Sequence, residues 1–179
     1  LIANAGGNCV KIVGGNARFI QCTIANFYVW KQRDVALALH NTFDGVAAPL
    51  HEAFFANCII TGSKNDEIMG YLSDLGDSIE GGANYRFVSS LLNTMVAYDD
   101  ENFVNIVWDE KDNHPFAKEH FRLIDNSVYM YDFRIDSLST ARGIADKEFL
   151  PLSSVDLSGV GRPAEAIDAG CYQFVPSVE

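Results

Sequence analysis

Two histidines bracket a short acidic stretch: His40 and His51, with Asp44 between them and Glu52 beside the second. An imidazole next to a carboxylate can move a proton at neutral pH or orient a bound hydroxyl. Such groups commonly sit on loops held by a rigid frame. A second set lies just upstream. Tyr28 and Trp30 supply aromatic faces, while Lys31 and Arg33 supply cations. Aromatic faces stack on the C–H faces of sugars, and cations pair with sugar carboxylates, so this set suits a glycan contact. Both sets also have plainer uses. A single histidine is more often a hydrogen-bonded surface group, and Trp30 could simply pin its own loop.

Carboxylates cluster at Asp99-Asp100-Glu101 and again at Asp66-Glu67. Oxygen-rich clusters suit Ca²⁺, the one cofactor these residues raise. A solvated turn is the commoner fate of a charge run. The 179-residue chain carries a formal net charge of −11 and lacks a dense basic segment. That charge opposes a nucleic-acid partner, which demands clustered Lys and Arg against phosphate. Without an apolar run of spanning length, the chain is expected not to be membrane-spanning. The cysteines Cys9, Cys22, Cys58 and Cys171 form neither a CxxC pair nor a zinc-like spacing.

The elements that must hold these groups emerge from an internal repeat. Phe19-Ile20-Gln21-Cys22-Thr23-Ile24 aligns without gaps on Phe55-Ala56-Asn57-Cys58-Ile59-Ile60 and on Phe87-Val88-Ser89-Ser90-Leu91-Leu92, with offsets of 36 and 32 residues. Such periods mark stacked architectures. Read as strands of strict alternation, the segments place Ile20, Cys22, Ile24 and their equivalents on one face. That column is small or aliphatic, as the inside of a narrow coil requires, so Cys22 and Cys58 read as buried core filler. The opposite face then carries Phe19, Phe55 and Phe87 in register, either covered by a flanking segment or open as a stacking platform.

Val10 to Val13 and Val35 to His40 add strand signals, and the stretches Tyr28–Asp34 and Phe43–Glu52 read as loops inserted into the coil. After Leu92 the repeat fades. Strands are expected over Phe103–Trp108 and Tyr129–Ile135, and short helices over Asn113–Phe121 and Ser137–Ile144.

The tail adds a motif. Asp156-Leu157-Ser158-Gly159-Val160-Gly161-Arg162-Pro163, followed by Ile167-Asp168-Ala169-Gly170-Cys171-Tyr172, resembles the ending of secreted bacterial parallel β-helix proteins of the pectate-lyase-like superfamily, common among Bacteroides-like surface proteins. Tyr131 to Ser137 resembles the segment that precedes that ending. Cys171 stands where Ala is usual, and Gln173 where Glu is usual. In this reading Arg162 clamps Asp156 or Asp168, the glycines including Gly170 make tight turns, and Tyr172 docks on the last rung.

The resemblance and the repeat together imply an all-β, right-handed parallel β-helix, a solenoid. Residues 1–95 form its rungs, and residues 96–179 form an irregular C-terminal cap with short helices. The chain is expected to be the N-terminally truncated end of a longer protein, able to self-associate through its first rung. The resemblance implies an extracytoplasmic location and a polysaccharide or surface glycan as partner. Three functions stay open: a non-catalytic or catalytically unassigned β-helix that binds glycans or is presented at the cell surface, a polysaccharide lyase or glycoside hydrolase with much of its site on missing upstream rungs, or a purely structural, adhesin-like stalk. The family's hydrolase signatures are missing from this sequence.

Overall fold

The computed structural model describes residues 1–76, 82–109 and 117–176. In chain order the strands begin with β1 (Ile2–Ala3), β2 (Val10–Val13), β3 (Gly15–Ile20) and β4 (Thr23–Asn26). Then come β5 (Leu37–His40), β6 (Thr42–Phe43), β7 (Val46–Ala47), β8 (Leu50–Ala56) and β9 (Ile59–Gly62). They are followed by β10 (Ile68–Tyr71), β11 (Ala83–Val88), β12 (Leu91–Leu92), β13 (Phe103–Val104) and β14 (Val107–Trp108). An antiparallel pair, β15 (Phe121–Asp125) and β16 (Met130–Ile135), lies beyond them. Among the described residues, helix is limited to 3-10 turns at Ala117–His120 and Lys147–Leu152.

Three parallel sheets account for most of the strands. The first has the order β1-β4-β9-β12-β14, the second β10-β5-β2, and the third β13-β11-β8-β3. The chain visits the second, third and first sheets in that sequence three times, as β2-β3-β4, β5-β8-β9 and β10-β11-β12. Strands β13 and β14 add one more layer to the third and first sheets. Stacking therefore runs to Trp108, past the limit of residue 95 expected from the fading repeat.

Parallel register puts like residues on like. Phe19, Phe55, Phe87 and Phe103 are successive partners in the third sheet. Their rings stack at 5.0, 4.9 and 5.3 Å with interplanar angles of 7°, 11° and 3°. Offset-stacked rings at such spacing attract each other beyond simple burial. Ile24, Ile60 and Leu92 form a matching column in the first sheet.

The phenylalanine column departs from the alternation read from sequence. Phe55 and Phe87 are fully buried in the same interior as Ile24, Cys58, Ile60 and Leu92, not on the opposite face. One residue per layer explains this. Gln21, Asn57, Ser89 and Asn105 all have positive φ, at 55°, 54°, 46° and 53°. A left-handed residue turns the chain sharply between two strands and resets which side chains face inward. Phe and Cys, three residues apart, thus point into one core. Hydrogen bonds run through the corner unbroken: Gln21 N–H donates to Ala56 O, Asn57 N–H to Val88 O and Ser89 N–H to Val104 O, at 3.0, 3.0 and 2.8 Å.

A second core lies on the outer side of the first sheet. Ala25, Phe27, Ile59 and Leu91 meet Phe121, Phe133, Ile135 and Ala169 there, which docks the C-terminal part against the stack. Gly170 has φ +88°, and its backbone N–H donates to Asn57 O at 2.8 Å. A Cβ at that position would meet Thr23 Oγ1 at 2.6 Å and Ile59 Cδ1 at 2.7 Å. Glycine is required here for both conformation and space.

Several expectations for this half are corrected. Of the helix expected over Asn113–Phe121, residues 113–116 lie outside the described residues, Ala117–His120 is one 3-10 turn, and Phe121 already begins β15. Ser137–Ile144 forms turns, and the other 3-10 segment falls at Lys147–Leu152, where the Asp146 side chain caps Glu148 N–H. Arg162 does not clamp a carboxylate. It donates to the backbone oxygens of Asp168 at 3.1 Å and Gly170 at 2.8 Å. Asp156 and Asp168 instead collect backbone N–H groups: Ser158, Val160 and Gln173 for the first, Gly143 and Phe174 for the second. The segment contains many turns, and its carboxylates satisfy N–H groups that no strand would otherwise pair. Tyr172 packs at the margin of the second core.

Candidate functional site

The two sequence-derived sets separate in space and in chemistry. Tyr28 and Trp30 lie on the connection from β4 to β5, whose base is firmly held. Asn26 Nδ2 donates to Ala5 O and Gly7 O, both at 3.1 Å, and Phe27 N–H donates to Asn4 Oδ1 at 2.9 Å. The Tyr28 ring lies over Gly6, where an added Cβ would meet it at 3.6 Å. Trp30 sits edge-on to Tyr28 at 4.8 Å and contacts Tyr129 at 4.9 Å, tilted by 47°. Tyr129 comes from the turn between β15 and β16 and has φ +59°. Asp125 fixes that turn by accepting from Ser127 N–H and Oγ, and the hydrogen bond to the Ser127 hydroxyl holds its carboxyl below the usual range.

The result is a trio of rings with much of its area in water: Trp30 is 42% exposed and Tyr129 61%. Tyr129 was not among the sequence candidates. Some hundred residues separate it from Trp30, and only the docking of the β15–β16 hairpin beside the loop brings them together.

Arg33 is the main correction within the sequence-derived set. It is buried and forms a two-pronged ion pair with Glu67, at 2.5 and 3.0 Å, with further bonds to Ser63 Oγ and Asp34 O. Glu67 also accepts from Ala36 N–H at 2.8 Å and Lys64 N–H at 2.7 Å. Each charge is satisfied by the other and by the chain, so Arg33 fastens its loop and offers nothing to a ligand. The Asp66-Glu67 pair splits accordingly: Glu67 is buried, while Asp66 accepts from Met95 N–H at 2.7 Å.

The histidine and acid set is likewise dispersed. His40 ends β5 and stacks on its register partner Tyr71 at 4.6 Å, and burial pushes its pKa down. Asp44, at φ 48°, and Gly45 turn the β6–β7 hairpin. His51 and Glu52 lie on β8, not in the expected loop, because the hairpin ends at Ala47 and the third sheet resumes at Leu50. Glu52 makes a two-pronged pair with Arg18 on the neighbouring strand, at 2.6 and 2.7 Å, which lowers its pKa. His51 is exposed, and its backbone oxygen accepts from Asn84. Asp99, Asp100 and Glu101 are exposed, with Asp100 capping Asn102 N–H at 2.8 Å. Among the described residues, no group of three His, Cys, Asp or Glu side chains is arranged to hold a metal ion. No helix among them is long and apolar enough to cross a membrane.

One constellation escaped the sequence reading entirely. His120 Nε2 lies 3.1 Å from Asp109 Oδ2, and His120 Nδ1 lies 3.2 Å from Ser139 Oγ. The order carboxylate, imidazole, hydroxyl matches that of a hydrolytic triad. All three residues are buried, however, and Asp109 Oδ2 and Ser139 Oγ accept from Ala117 and Ala141 N–H. The trio ties the 3-10 turn and the segment after β16 to the end of β14.

A cavity of about 150 Å³ opens where the second sheet ends at β10, lined by Leu39, Ile68, Leu72, Tyr85, Phe87 and Phe103 among others. Its lining is mainly apolar, with the phenol rings of Tyr85 and Tyr98 and the Thr94 side chain as its polar groups. Trp30 and Tyr129 form an exposed aromatic cluster brought together by the β4–β5 loop and the β15–β16 hairpin. No family model, no curated protein and no solved structure matches the chain.

Proposed function

We propose that the chain forms an extracytoplasmic right-handed parallel β-helix, and that it binds a glycan across Tyr28, Trp30 and Tyr129. The repeated order of three parallel sheets, the stacked columns and the left-handed corner in every layer support the coil. The tail motif, similar to that of secreted β-helix proteins, supports the location. The observation that carries the binding reading is the ring trio, with Trp30 and Tyr129 exposed and Tyr28 half-buried, shared between a braced loop and the β15–β16 turn. Trp30 lies 4.8 Å from Tyr28 and 4.9 Å from Tyr129, and such aromatic side chains offer contact area at little entropic cost, which suits the C–H faces of a sugar. Lys31 is exposed next to Trp30 and lends the platform a cation for acidic sugars.

A panel of neutral and acidic polysaccharides tests the reading by affinity electrophoresis, with new reducing ends and unsaturated products assayed in parallel. Retardation by at least one glycan without product is the expected result. Turnover of a glycan, or no retardation by any, would overturn it.

A further inference from the structure

Cys22 and Cys58 occupy the same place in successive layers, one residue after the left-handed corner. Ile59 N–H donates to Cys22 O at 2.9 Å, so the two residues are direct neighbours across the ladder. Adjacent strands lie about 4.8 Å apart. That separation falls within the Cα distances disulfides span, roughly 4.4–6.8 Å. The column has a fixed bonding pattern. Cys22 Sγ, Cys58 Sγ and Ser90 Oγ each donate to the carbonyl two residues back, Ile20, Ala56 and Val88, at 3.4, 3.3 and 2.8 Å. The shared pattern turns both sulfurs the same way, one above the other.

Their surroundings differ. Cys58 is fully buried, whereas Cys22 is only half-buried, because beyond β4 the first sheet has only the two-residue β1, and β3 is the edge of the third sheet.

We infer that Cys22 and Cys58 form a reversible dithiol–disulfide couple that staples the first two layers when a small-molecule disulfide is present. The half-buried Cys22 attacks first. Its thiolate displaces one thiol from the small disulfide, leaving a mixed disulfide on Cys22. Cys58 then gives up its proton and attacks the Cys22 sulfur, releasing the second thiol. Two protein thiols are oxidised and one disulfide is reduced to two thiols, so the exchange balances. The order of attack agrees with the thiols' acidities. The neighbouring Cys58 thiol lowers the Cys22 pKa to about 7 against the effect of burial, while desolvation pushes Cys58 well up. Ser90 occupies the third place in the column with its hydrogen bonds made, so serine fits the position and Cys→Ser variants should fold.

The test is incubation of the full chain with oxidised glutathione, followed by alkylation and peptide mapping. The wild type should lose two hydrogens in mass and yield one peptide pair linked through Cys22 and Cys58. Its melting temperature should rise by several degrees and fall back with dithiothreitol. Cys58→Ser should trap glutathione on Cys22, and Cys22→Ser should leave Cys58 unmodified. A wild type with Cys22 and Cys58 both free, a glutathione adduct persisting on its Cys22, or linkage of either to Cys9 or Cys171 would overturn the inference.

Discussion

At the residue scale, a cation beside aromatic rings can serve two masters, and burial decides which. Arg33 follows Tyr28 and Trp30 in sequence, yet its guanidinium turns inward to Glu67 and leaves the rings alone at the surface. Removing one partner of a buried pair leaves an uncompensated charge, a loss of about 3–5 kcal/mol. Arg33→Ala should therefore destabilise by about that much in urea unfolding. Glu67→Ala should cost more, because the Ala36 and Lys64 N–H groups lose their acceptor as well. Equal costs would mean that these backbone bonds contribute little. Nothing in the sequence distinguished Arg33 from Lys31, since the difference lies in a partner 34 residues away.

At the scale of the element, the corner residue governs the layer. The Phe and Cys columns were legible because parallel register repeats like on like. The side they face was not, because a single positive φ per layer inverts the alternation, and Gln21, Asn57, Ser89 and Asn105 share no one side-chain type. Asn at two of the four is the available hint, since its amide tolerates the left-handed region.

The four corners are not equivalent. Asn57 binds the C-terminal part by donating to Asp146 O at 2.9 Å and accepting from Asp146 N–H at 2.8 Å. Asn57→Gly keeps the turn but loses both bonds, and should destabilise by about 1–3 kcal/mol. Ser89→Gly relieves a left-handed non-glycine residue and should leave stability unchanged or raise it by about 1 kcal/mol. Chemical denaturation of the two variants side by side checks this, and equal losses would contradict the assigned roles. His51 and Glu52 were misplaced for a related reason. Phe43 to Glu52 reads as one loop, but a hairpin closed by Asp44-Gly45 shortens it and returns the chain to its sheet early.

At the scale of the whole molecule, the stack and the C-terminal part act as one frame for the ring trio. Trp30 belongs to a loop of the stack and Tyr129 to the docked hairpin, so the platform exists only when the second core holds the two together. Long-range assembly of this kind, like the Asp109–His120–Ser139 tie, leaves no local signature in sequence. It also makes the platform separable from the frame: Trp30 and Tyr129 are exposed, whereas Arg33 is not.

The most direct test of the central claim is a calorimetric titration of the glycan retained by the wild type into four proteins: wild type, Trp30→Ala, Tyr129→Ala and Arg33→Met. Each ring truncation should weaken binding at least tenfold, about 1.4 kcal/mol, at unchanged melting temperature. Arg33→Met should lower the melting temperature yet bind with wild-type affinity while folded. Wild-type affinity in both ring variants would contradict the account.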